Sequence, residues 1–202
     1  MQELTRRDLL FSAINGAIVG ILAPFIFSNL SVSLHVSPVI FAVGLSLLSV
    51  VGIAVGYYLS KVLFPFLYQF AKFGLIGVAN TVIDVGIYNL FITLTDISSG
   101  PLIVVFKTLS VFTAIINSYI WNKYWSFEQK ETAEVSKEFG QFLAVSLTGL
   151  LINVGITYLV VNVVGSPKGM DPKIWANVGA LTASLVGFGW NFVGYKFFVF
   201  KK

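Results

Sequence analysis

Apolar residues fill this chain in blocks of about twenty, separated by short polar breaks. A helix needs about 20 mostly apolar residues to cross roughly 30 Å of hydrocarbon. Six segments meet that length: residues 9–29, 38–60, 73–95, 102–122, 139–163 and 174–196. The breaks carry turn chemistry. They are SNLSVSLHVSP at 28–38, the stretch from Lys61 to Lys72 with Pro65, DISSGP at 96–101, QKETAEVSKE at 129–138 and GSPKGMDPK at 165–173. The pattern predicts an all-α bundle of six transmembrane helices. Close glycines such as Gly52 and Gly56 in VGIAVGYY read as small-residue helix contacts, not as nucleotide loops.

Composition agrees with that pattern. Hydrophobic residues make up 56% and charged residues 11%, with a mean hydropathy of +0.87. A soluble domain carries about 25% charged residues because its surface faces water. Ten of the thirteen basic residues fall on one side of a six-span arrangement: Arg6, Arg7, Lys61, Lys72, Lys123, Lys130, Lys137, Lys196, Lys201 and Lys202. Lys107, Lys168 and Lys173 fall elsewhere. Positive charge stays inside, so both termini and the 61–72 and 123–138 connections are expected in the cytoplasm of a multi-pass cell-membrane protein. The net charge of +4 has the same origin, and no nucleic-acid partner is expected. Arg6-Arg7 resembles a twin-arginine signal, but the run behind it has no clear small-x-small cleavage site, so an uncleaved first span is expected. The chain has no cysteine and one histidine, His35, which removes thiol chemistry and histidine-based metal clusters. No nucleophile–base pair, paired catalytic carboxylates or phosphate-cradling loop stands out, so neither enzyme activity nor a cofactor is expected.

The later spans repeat. FAKFGLIGVANTVIDVGIYNLF, from residue 70, lies over FGQFLAVSLTGLLINVGITYLV, from residue 139. This places Phe73 on Phe142, Gly77 on Ser146, Asn80 on Gly149, Asp84 on Asn153 and Gly86 on Gly155. The endings SYIWNKYWSF (118–127) and NFVGYKFFVF (191–200) also superpose, with Lys123 on Lys196, Trp125 on Phe198 and Phe127 on Phe200. The expected organisation is an N-terminal hairpin at 1–65 and a four-helix domain at 66–202, built from parallel repeats at about 66–128 and 136–202.

Three stretches carry a family resemblance: N-x-x-x-x-N-K-x-W-x-F at Asn117 to Phe127, its looser copy at Asn191 to Phe200, and F-x-x-x-G-x-x-N-x-x-x-D at Phe73 to Asp84. Together they resemble the GtrA family over about residues 66–202. That family is implicated in moving polyprenyl-phosphate-linked monosaccharides across membranes. The resemblance implies flippase-like translocation of such a lipid from the cytoplasmic to the outer leaflet, for surface glycan modification. Tyr195-Lys196-Phe197 departs from the paired basic residues of the family, and the first two spans exceed the family's usual four.

The polar residues inside the spans are the candidate chemistry. Asp84 sits mid-span, and Gly77, Asn80 and Tyr88 share its i, i+3/i+4 stripe. Ser146, Gly149, Asn153 and Thr157 form the matching stripe of the second repeat. These residues read either as helix packing glue or as a polar path for a headgroup. Lys107 either snorkels outward or pairs with Asp84, and Ser110, Ala114, Asn117 and Trp121 share its helix face. Asn122, Lys123, Trp125, Asn191 and Lys196 form either an interfacial belt or a capture site for lipid phosphate. The substrate-binding candidates are therefore Asn80, Asp84, Tyr88, Lys107, Asn117, Asn122, Lys123, Trp125, Asn153, Asn191 and Lys196. The expected partners are the lipid-linked sugar, a membrane glycosyltransferase and a second copy completing a homodimer. Two other functions compete with transport of the lipid: a non-transporting anchor for a glycosyltransferase, and a small-cation exporter in which Asp84 titrates.

Overall fold

A computed structural model of the chain describes residues 3–29, 33–97, 101–129, 134–168, 182 and 185–200. Most of the start of the last expected span, Lys130, Lys173, Lys201 and Lys202, and the side chains of Lys107, Asn153 and Thr157 lie outside that description. The described residues are helical apart from short connections. The helices are α1 (Arg6–Asn29), α2 (Pro38–Val62), α3 (Phe66–Thr95), α4 (Pro101–Trp121) and α5 (Val135–Tyr158), the last continued by a π-helical segment at Leu159–Val164, and residues 185–194 are also helical. By length and composition α1, α2 and α3 can each cross a membrane. The chain divides into two compact units, Met1–Glu128 and Gln129–Lys202. The N-terminal hairpin and the first expected repeat thus share one unit.

Local chemistry sets the ends of these helices. Ser37 accepts a hydrogen bond from the Ile40 amide (3.2 Å) and Pro38 follows at the first helical position, where its missing N–H costs nothing. Helix α3 stops at Asp96, which takes the left-handed conformation (φ 57°) and returns its amide to the Ile92 carbonyl. The stretch from Lys61 to Lys72 was expected to be a break. Instead α3 starts at Phe66, directly after Pro65, so Lys72 is a helical residue in its second turn. At 30 residues α3 is about 45 Å long, more than a hydrocarbon core requires.

Within the first unit α1 packs on α2 and α3, α2 on α3, and α3 on α4. The beginnings of α1 and α3 meet the ends of α2 and α4. There Ile53, Tyr68, Ile76 and Trp125 form a buried core, lined by Phe11, Tyr57 and Trp121. Phe11 stands edge-on to Trp121 (5.1 Å between ring centres), which is edge-on to Trp125 (5.7 Å). Near the opposite end of α1, the Asn29 amide donates to the Asn89 side chain of α3 (2.9 Å). Outward, Leu47, Leu48, Val51 and Val55 of α2 are exposed, as a lipid-facing surface requires and a water-soluble one avoids.

Small residues set the spacing of α1 and α2. A Cβ placed on Gly16 or Gly20 would collide with the backbone of Leu45 and Ser46 or of Ala42, respectively. This is a Gly-x-x-x-Gly contact, in which the missing side chains let two backbones approach. Of the glycines expected to make such contacts, Gly56 meets Ala71, whereas Gly52 has nothing within 4 Å. Gly20→Ala should therefore destabilise the protein by about 1–3 kcal/mol through overpacking. Gly52→Ala should be neutral or slightly stabilising, because alanine is the better helix former. Thermal unfolding of the purified variants in detergent checks the contrast.

Candidate functional site

Helix α4 does not end at Trp121. It passes into a π-helical turn, Asn122–Ser126, closed by the Phe127 amide donating to the Asn122 carbonyl (2.9 Å). In the second unit the same wide turn occurs at Tyr195–Val199, closed from Phe200 to Tyr195 (2.8 Å). The two turns fall at positions that superpose in sequence, 122 on 195 and 127 on 200. Turns of this width are rare and often mark functional places in helices.

The first turn is held from two sides. From α1, the Asp8 carboxylate accepts from the Trp125 indole N–H (2.9 Å), and the Arg7 guanidinium donates to the Tyr124 carbonyl (2.6 Å). From α3, Gln69 and Ser126 exchange hydrogen bonds, amide to carbonyl (3.2 Å) and hydroxyl to carbonyl (3.3 Å). The Lys72 ammonium lies 2.7 Å from Asp8 and 3.0 Å from Glu128, with its own side chain 0% exposed. It also lies over the Tyr68 ring, 4.5 Å from the ring centre. The Thr5 hydroxyl (2.6 Å) and amide (3.1 Å) complete the shell around Asp8. Glu128 reaches its partner from a left-handed backbone (φ 53°), a conformation that non-glycine residues seldom adopt. Buried charge is tolerated only with such complete pairing.

This arrangement revises the environment expected for the opening motif. Trp125 was expected among interfacial rings; it is 1% exposed and bonded to Asp8. Asn122 is buried and donates to the Ser118 carbonyl of its own helix (2.8 Å). Lys123 is 2% exposed, donates to the Tyr119 hydroxyl (3.3 Å) and lies near the Tyr119 and Tyr124 rings. Asp8, Gln69, Lys72 and Glu128 were not among the candidates. The available signal was an acid at the mouth of the first span and a lysine directly ahead of the third.

A second polar group lies along the α3–α4 contact. The Ser110 hydroxyl, 0% exposed, donates to Asp84 (2.8 Å), and the Asn117 amide faces the Asn80 oxygen (3.4 Å). Ala114, which lies between Ser110 and Asn117 on α4, is buried as well. Three of the expected residues, Asn80, Asp84 and Asn117, are thus brought together, and Tyr88 is half-buried one turn beyond Asp84. Lys107 lies on α4 one turn before Ser110.

In the second unit the Tyr195 and Ser146 hydroxyls are 2.7 Å apart, and Tyr195 stacks on Phe142 (4.5 Å). Gly149 is closed over by the Asn191 side chain, whose oxygen has no hydrogen-bonding partner among the described residues. Lys196 is half-buried near the Phe192 and Phe197 rings. Among the described residues no three His, Asp or Glu side chains gather as metal ligands.

Residues 72–200, most of the chain, match the family model described as the GtrA/DPMS transmembrane domain. The chain belongs to this family. A Bacillus subtilis (strain 168) protein, uncharacterized membrane protein YngA, is 32% identical over 129 residues, covering 64% of this chain and 77% of that protein. No solved structure matches. Family membership and the apolar helices make this an integral membrane protein. The family region begins at Lys72, so that lysine, Trp125 and Glu128 lie within it, whereas Asp8, the partner of Lys72 and Trp125, lies outside.

Proposed function

We propose that the protein is a flippase-like carrier for a polyprenyl-phosphate-linked monosaccharide, moving the headgroup from the cytoplasmic to the outer leaflet. Membership of the GtrA/DPMS family is consistent with a role in lipid-linked sugar translocation. The observation that carries the reading is the polar group of Asp84, Ser110, Asn80 and Asn117, which meet across the facing helices α3 and α4. Only the sugar and phosphate need such a path, because the prenyl tail stays in lipid. In this reading six spans cross the membrane with both termini inside, and the 66–202 domain holds two parallel repeats. The matched π-helical turns support that duplication. Lys123 and Lys196 attract the phosphate at the inner face. Asp84, Asn80, Tyr88 and Asn117 receive the sugar, with Lys107, Asn122, Trp125, Asn153 and Asn191 lining or supporting the path. A second copy and a glycosyltransferase are the proposed partners.

Cells lacking the protein should keep the lipid-linked sugar on the inner leaflet and lose the sugar from outer glycans. The decisive arm raises the cognate glycosyltransferase to its normal level from a separate promoter. Transport requires that the sugar stay missing; its return would favour a glycosyltransferase anchor.

A further inference from the structure

The hairpin α1–α2 precedes the family match, yet its first turn touches the motif that ends α4. We infer that Asp8 is a positioning residue for the Asn122–Ser126 turn, so that the hairpin serves as a resident partner that sets the basic inner end of the transport path. Three observations converge. Asp8 bonds the side chain of Trp125, while its neighbour Arg7 bonds the backbone of Tyr124, so two consecutive residues of α1 grip two consecutive residues of the turn. Asp8 also holds Lys72, which reaches on to Glu128, two residues past the turn. The turn itself carries Lys123, whose ammonium is fixed among Tyr119 and Tyr124.

The second unit provides an internal contrast. Its equivalent turn carries Phe198 where the first has Trp125, and a phenyl ring has no N–H to donate. Tyr195 instead anchors that turn through its hydroxyl to Ser146 on α5. The first turn is therefore fastened from α1, outside the repeat, as well as from α3 within it, whereas Tyr195 ties the second to a helix of its own repeat. A wide turn has weaker internal bonding than regular helix, and a side-chain clamp fixes which way its residues face. The role of Asp8 in transport rests on the proposed function. Its role in holding the turn does not.

The absence of native cysteine makes the test direct. Single cysteines are placed in the full chain at Ser126 (0% exposed) and at its counterpart Val199 (7% exposed), in native membrane vesicles. Modification by a small water-soluble maleimide is then timed. Asp8→Asn should speed modification at position 126 at least tenfold and leave position 199 unchanged, while Asp8→Glu, which keeps the carboxylate, should stay within threefold of the parent. Trp125→Phe, which removes only the N–H donor, provides a milder second variant and should give an intermediate rise at 126. Unchanged protection at 126 in both Asp8→Asn and Trp125→Phe overturns the inference, as does equal deprotection of both reporters, which signals general loosening. In transport, Asp8→Asn should raise the lipid concentration giving half-maximal rate more than it lowers the maximal rate. A parent chain that moves no lipid but keeps Asp8-dependent protection supports the clamp and overturns the transport reading.

Discussion

Replacing Lys72 with methionine should cost about 3–5 kcal/mol of stability, because it leaves the Asp8 carboxylate buried without its counter-charge. In a protein of this size that corresponds to a fall of roughly 10 °C in Tm in a detergent melt. Methionine fills the stem of the lysine, so the loss is one of charge pairing and not of packing. Adding Asp8→Leu and Glu128→Gln to the same chain should recover much of the loss, since apolar replacement of a whole buried ion cluster is often near neutral. Recovery should be incomplete, because the Trp125 N–H then has no acceptor, a deficit of about 1–3 kcal/mol. Lys137→Ala, which breaks the exposed pair with Glu134, should leave Tm unchanged. A Lys72→Met protein as stable as the parent would contradict the cluster.

The second large effect is expected at Asp84. Asparagine keeps an oxygen that accepts from Ser110, so Asp84→Asn should express and melt like the parent. Its lipid-translocation rate should nevertheless fall at least tenfold, a loss of about 1.4 kcal/mol of differential binding. If the α3–α4 polar group is only packing glue, the rate stays at the parent value, because glue is made of hydrogen bonds and those persist. Replacing Asn80 and Asn117 together with leucine separates the readings from the other side. That pair should keep the helices packed while slowing transport, since the interhelical amide contact is replaced by apolar contact.

The helices themselves were legible because lipid imposes a length on each apolar run. Residues 9–29, 38–60 and 102–122 were expected, and Arg6–Asn29, Pro38–Val62 and Pro101–Trp121 are found. The start of α3 was misplaced, since Pro65 and the flanking lysines read as a break although proline is well tolerated just ahead of a helix. Asp8 escaped notice for a different reason. An acid at the mouth of a span reads as solvated, and only folding shows that Lys72 and Trp125, far along the chain, come to meet it. Spacing also failed to separate Gly52 from Gly16, Gly20 and Gly56. Gly16 and Gly20 are four apart, as are Gly52 and Gly56, and only the neighbouring helix decides which glycines are needed. On the other hand, the stripe of Asn80 and Asp84 with Ser110 and Asn117 was readable from helical periodicity, and the structure pairs them across α3 and α4.

The most direct test of the central claim is headgroup exposure in sealed liposomes. The purified full chain is reconstituted with a labelled polyprenyl-phosphate monosaccharide on the inner leaflet, and an impermeant reagent reports its arrival outside. The account predicts that the protein speeds arrival well above empty liposomes, and that the Asp84→Asn chain at equal density loses at least nine-tenths of that gain. Arrival no faster than in empty liposomes, with the protein folded and the vesicles sealed, would contradict it.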